Sequence, residues 1–79
     1  MQIEGVNYEV VIATDVERDS MQWECYSGSG GERKLLLEVV RFDGKKEWAF
    51  IQHMPHLPLS LVEFAVTHAK EELGPFFEG

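Results

Sequence analysis

The dipeptide Asp43-Gly44 lies between "RKLLLEVVRF" and "KEWAFIQH" and constrains the fold more than any other feature of the chain. A two-residue hairpin loop of type I′ needs positive φ at both central positions, and Asp-Gly supplies it with little strain. Such a loop also predicts a register. Phe42 faces Lys45, Arg41 faces Lys46, Val39 faces Trp48 and Leu37 faces Phe50, while on the other side Val40 faces Glu47, Glu38 faces Ala49 and Leu36 faces Ile51. "RKLLLEVVRF" is apolar on both of its faces, as expected of a central strand. Leu35, Leu37, Val39, Trp48 and Phe50 form the expected core face.

Two further runs precede this hairpin. In "VNYEVVIATD", Val6, Tyr8, Val10 and Ile12 alternate with Asn7, Glu9, Val11 and Ala13. In "SMQWECYS", Met21, Trp23 and Cys25 alternate with Gln22, Glu24 and Tyr26. Period two with β-branched and aromatic residues predicts half-buried strands. The polar, acidic stretch Thr14 to Ser20 predicts a long, mobile loop between them, and "GSGG" at 28–31 predicts a flexible turn.

The remaining periodic segment is helical. Leu61, Val62, Phe64, Ala65, Val66, Ala69 and Leu73 form a wide apolar stripe, opposite Glu63, Thr67, Lys70 and Glu71. Ser60 and Glu63 are spaced as a capping box, with Leu59 and Phe64 at the staple positions. Gly74 and Pro75 terminate the helix. The predicted fold is α+β: residues 1–79 form one ββββα domain, a four-stranded antiparallel meander followed by one C-terminal helix packed on one face. At least one of Phe76 and Phe77 is expected to fold back onto the core.

Composition narrows the function. At 79 residues and 44% apolar content the chain can build one small core. No apolar run approaches the ~20 residues that span a bilayer. "MQIEGVNYEV" has neither a basic nor an apolar leader region, and the single Cys25 has no internal disulfide partner. A reducing, cytoplasmic setting is the expectation. The net charge of −7 opposes binding to polyanions and anionic membranes overall. The charge is uneven, however, because Arg33, Lys34, Arg41, Lys45 and Lys46 cluster against only Glu38 and Asp43.

Candidate chemistry is sparse. His53 and His56 flank Met54-Pro55, but a zinc site needs three or four convergent ligands. Pro55 holds the intervening backbone extended, and neither Cys-x-x-Cys nor His-Glu-x-x-His occurs. The segment is better read as a stiff joint from strand to helix. Cys25 falls on an inward strand face, the usual place of an inert core cysteine. "GSGGE" lacks the Lys and the following helix of a phosphate-binding loop. No catalytic residue, metal ligand or cofactor site is assigned.

The order ββββα resembles the single-stranded-DNA binders of the positive-cofactor-four and Whirly type. The resemblance is one of element order, without a shared motif. It implies a curved sheet, paired subunits and a nucleic-acid surface, here built on the basic hairpin residues Arg33, Lys34, Arg41, Lys45 and Lys46. The preferred expectation is a small acidic, non-enzymatic protein-interaction module: an adaptor, inhibitor or immunity-like partner binder. One helix covers one side of a sheet, so the other side offers an interaction face of Leu36, Glu38, Val40, Glu47, Ala49 and Ile51. Its partner would be another protein, or a second copy in a homodimer.

Overall fold

The computed structural model describes residues 1–28 and 30–77. Strands β1 (Gln2–Ile3), β2 (Val6–Asp15), β3 (Ser20–Ser27), β4 (Lys34–Phe42) and β5 (Glu47–Gln52) precede helix α1 (Leu59–Leu73), with a 3₁₀ turn at Gly30–Glu32. The five strands form one antiparallel meander in sequence order. The α+β architecture is the expected one, with a short strand added at the N-terminal edge.

The turns account for the differences from expectation. The two-residue loop predicted at Asp43-Gly44 occurs instead at Glu4-Gly5, where φ is 50° and 81°. Those angles fold β1 back onto β2, with Ile3 opposite Val6. Between β4 and β5 the loop has four residues, closed by Lys46 N–H donating to Asp43 O (3.3 Å), with Lys46 at φ 53°. The register is therefore shifted by two residues from the predicted one. Phe42 faces Glu47, Arg41 faces Trp48, Val39 faces Phe50 and Leu37 faces Gln52. A shift of two by itself moves no side chain to the other face, because strand side chains alternate with period two.

The predicted long loop after β2 is also replaced. Thr14 pairs with Met21 and Asp15 with Ser20, which leaves a four-residue turn. Asp19 N–H donates to Val16 O (3.3 Å), and Asp19 takes φ 51°. This turn and the 43–46 turn share one design, and Asp43 N–H joins them by donating to Asp19 O (2.9 Å). Of "GSGG", Ser29 lies outside the described residues, and Gly28 adopts φ 78°.

Helix α1 begins two residues earlier than its apolar pattern suggested, at Leu59 rather than Leu61. Ser60 makes no capping bond, so the capping box is not formed. Pro58 is the N-cap, and its carbonyl accepts the amides of Leu61 (3.0 Å) and Val62 (3.2 Å). Proline suits this place because its missing N–H costs no helical bond and its φ is already set. At the other end Gly74, at φ 74°, donates its amide to Lys70 O (3.1 Å).

The core is a single layer between sheet and helix. Leu61, Ala65, Ala69 and Leu73 recur at the i, i+4 spacing and pack with Trp23, Cys25, Leu37 and Val39. Small residues at 65 and 69 let the helix sit close to the strands. Trp23 contributes its large ring, and its Nε1–H donates to Glu72 Oε2 (3.0 Å) at the helix edge. Burial pushes the Cys25 thiol up to about 11, so it stays protonated and inert at neutral pH. Phe76 packs its ring near Trp48 (5.8 Å between centroids), as expected for one of the tail phenylalanines, whereas Phe77 is exposed.

Candidate functional site

The residues facing away from α1 come from all four long strands. Strand pairing places Val40 between Gln22 and Ala49, with Glu38 between Glu24 and Ile51 one pleat along. Val40 is fully buried and Leu36 nearly so, Ala49, Ile51 and Glu38 are half-buried, and Glu47 is exposed. The structure thus brings the six predicted interaction-face residues onto adjacent strands, but it closes the apolar centre within the chain itself. Leu36 sits at the irregularity where β4 passes Cys25 and Tyr26, and it joins the core cluster.

Paired polar and aromatic side chains flank that centre. His53 Nε2 lies 2.7 Å from Glu38 Oε2. Tyr26 Oη–H donates to Glu24 Oε1 (2.9 Å), and this bond is the main cause of the raised pKa of the phenol. Arg33 stands over the Tyr26 ring (4.4 Å to the centroid) and bonds Glu9 Oε1 (2.6 Å). At the opposite end, Arg18 and Lys45 approach the Phe42 ring at 5.5 Å and 5.3 Å.

The basic cluster read from the sequence does not form one surface. Arg41 is buried on the helix side. Its Nε lies 2.8 Å from Asp43 Oδ1 and its Nη2 donates to Asp43 Oδ2 (3.2 Å), while Nη1 donates to the carbonyl of Leu73. Asp43 Oδ1 also accepts the amide of Phe77 (2.8 Å). That bond, followed by the Arg41 guanidinium, holds the Asp43 carboxyl below the usual carboxylate range. Arg33 is bound to Glu9, and it, Lys34, Lys45 and Lys46 are all exposed. Among the described residues, no three His, Cys, Asp or Glu side chains are grouped to hold a metal ion. His68 stacks on Phe64 (3.7 Å between ring centroids).

Accessible apolar side chains occur elsewhere: Val16 in a turn, Leu59 and Val66 on the helix, Phe77 in the tail, and Val6, Ile12 and Phe50 on the outer strands. Helix α1 rests mainly on β3 and β4, so β2 and β5 are covered only in part: Val10 and Trp48 pack against the core, whereas Ile12 and Phe50 do not. Ile12 is 46% exposed and Phe50 41%, although both occupy the helix side of the sheet. Alternation correctly put these residues on the core face. The missing signal was the width of the roof, since one helix cannot cover four strands spaced about 4.8 Å apart. No helix among the described residues is long and apolar enough to cross a membrane. A scan of protein-family models gives no match, and neither do searches of curated proteins and of solved structures.

Proposed function

We propose that this chain is a small acidic protein-interaction module without catalytic activity, of adaptor or inhibitor type, working in a reducing, cytoplasmic setting. The observation that carries this reading is the pair of apolar residues, Ile12 and Phe50, left open on the two outer strands by a helix that spans only the middle of the sheet. The two residues stand at opposite ends of one cross-strand row, Ile12–Trp23–Val39–Phe50, and each offers apolar surface that a partner could bury. The net charge of −7 favours a basic partner and speeds encounter with one.

Two further features support a binding role over chemistry. Asp43, in the depression between the two four-residue turns, is committed to Arg41 and Phe77, and its lowered pKa is the reverse of what a general acid needs. Cys25 is buried and protonated. The single-stranded nucleic-acid reading is less well supported. Arg41 is turned inward and Arg33 is held by Glu9, so the cationic groove that such binding uses loses two of its five residues.

Affinity capture with nuclease treatment and a salt series tests the proposal. Wild-type chain should retain a protein partner after nuclease, with retention falling as salt rises. Ile12→Lys and Phe50→Lys should weaken it. Capture that vanishes with nuclease would transfer the function to nucleic acid.

A further inference from the structure

The outer edge of β2 is the least protected part of the sheet, and its backbone indicates what would occupy it. Tyr8 exchanges hydrogen bonds with Met1: Tyr8 N–H donates to Met1 O (2.7 Å), and the Met1 amine donates to Tyr8 O (3.1 Å). The peptide groups of Tyr8 therefore point away from β3. Alternation along an antiparallel strand turns those of Val10, Ile12 and Thr14 the same way. Strand β1 reaches only Val6, Asn7 and, through Met1, Tyr8. Among the described residues no strand is paired outside Val10–Thr14.

This open edge lacks the usual protections. "VVIAT" contains no charge, no proline and no glycine, whereas natural edges carry such residues to discourage pairing. On the other edge, "WAFIQ" of β5 is also uncharged, but the strand is entered through Lys45, Lys46 and Glu47. Its face is also overhung, with Phe76 packed near Trp48 and the Lys70 ammonium 5.7 Å from that ring.

We infer that a second copy of this chain adds to the β2 edge, antiparallel about a two-fold axis at Ile12, making one continuous sheet from two meanders. This goes beyond the interaction reading: the second copy also carries −7, so the pairing is a self-contact at the β2 edge, separate from the basic partner proposed above. The set Val10, Ile12, Thr14 is symmetric about its middle residue. Under the two-fold, Ile12 faces Ile12 of the second copy, and Val10 faces Thr14. A self-complementary patch of this kind is what an isologous dimer requires. The same register brings Glu9 opposite Asp15, which would oppose pairing if both were bare. Each has its own cation: Glu9 bonds Arg33 at 2.6 Å, and Asp15 lies 3.7 Å from Arg18. Pairing also removes the half-exposed Ile12 from water.

Sedimentation of the full chain across a concentration series, up to millimolar, tests the inference. Wild type should pass from monomer to dimer mass. Ile12→Lys places two ammonium groups face to face, and it should remain monomeric with an unchanged thermal midpoint. Oxidation of Ile12→Cys should give a covalent dimer, because directly opposed Cα atoms at about 5.5 Å suit a disulfide. Val16→Cys, at the more exposed position (87%), should crosslink far less. A wild type that stays monomeric overturns the inference, as does a dimer indifferent to Ile12→Lys or crosslinking that favours Val16→Cys. If the chain is monomeric but Ile12→Lys still loses a captured protein, the edge serves another partner and only the self-pairing fails. If neither property responds to Ile12→Lys, the proposed role of this strand fails with it.

Discussion

On the helix side of the sheet, Leu37 is buried beneath Leu61, Ala65 and Ala69, whereas on the other side Val40 is equally buried without a second helix above it. The first kind of burial comes from large apolar groups meeting across two layers. The second comes from smaller groups within one layer, Val40 between Gln22 and Ala49, with ion-paired and ring-stacked side chains towards the ends. Apolar packing contributes in proportion to the area removed from water. Exposed or half-exposed ion pairs contribute little and are weakened by salt. Two positions with the same solvent exposure therefore differ in what their side chains contribute to stability.

Substitutions rank accordingly, and the largest effect belongs to the two-layer side. Leu37→Ala should destabilise by about 2–5 kcal/mol in chemical denaturation, from lost transfer energy plus a residual cavity. Val40→Ala removes two methyl-sized groups and should cost about 1.5–2 kcal/mol, near 0.8 per group. A cost at Val40 equal to that at Leu37 would show that the two faces are packed alike.

The Arg41–Asp43 pair gives a pH test on the helix side. The folded pKa of Asp43 is lowered, first by the Phe77 amide and then by Arg41. Its stabilisation is therefore complete above the unfolded carboxylate pKa of about 3.9, and it is lost as pH falls from there through the folded value. Asp43→Asn should lower the thermal midpoint at neutral pH and flatten its decline below about pH 4. A wild type and variant with parallel acid limbs would show that the pair does not titrate on unfolding. The Glu38–His53 pair, on the other side, should matter less. Glu38→Gln should cost no more than about 1 kcal/mol, and the difference should shrink in high salt.

The smallest effect concerns the helix start. Ser60→Ala should change the denaturation midpoint by no more than about 0.5 kcal/mol, because its hydroxyl caps nothing. A loss near 1 kcal/mol, typical of a working N-cap, would place the cap at Ser60 after all.

These residues also show how far the sequence is legible. Alternation gave the faces of the four long strands except at the β4 irregularity, where Leu36 rather than Leu35 joins the core, and the Leu61–Ala65–Ala69–Leu73 stripe gave the helix face. Turn chemistry was legible only in part. Asp43 looked like half of a two-residue turn, but its carboxylate is required by Arg41 and by Phe77, and its amide by Asp19 O. Phe77 and Asp19 are long-range partners that no local pattern displays. Ser60 matched a capping signature that the carbonyl of Pro58, two residues earlier, makes redundant. The primed turn at Glu4-Gly5 was overlooked because β1 is only two residues long, too short for a periodic signal. The exposure of Ile12 and Phe50 depends on where the helix axis lies, a property of packing rather than of either strand.

Arg41 has one further consequence, for the order and unity of folding. The meander joins only neighbours in sequence, so its hairpins can close early and at small entropic loss. Docking of α1 is the slow, distant event, since Trp23 meets Glu72 across 49 positions. Arg41 belongs to both processes: it sits in the β4–β5 hairpin, grips the last carbonyl of the helix and holds the carboxylate that fixes Phe77. The end of the helix cannot fray without unsettling the hairpin turn. Amide exchange in the last turn of α1 and in the 43–46 turn should therefore report one opening event rather than two.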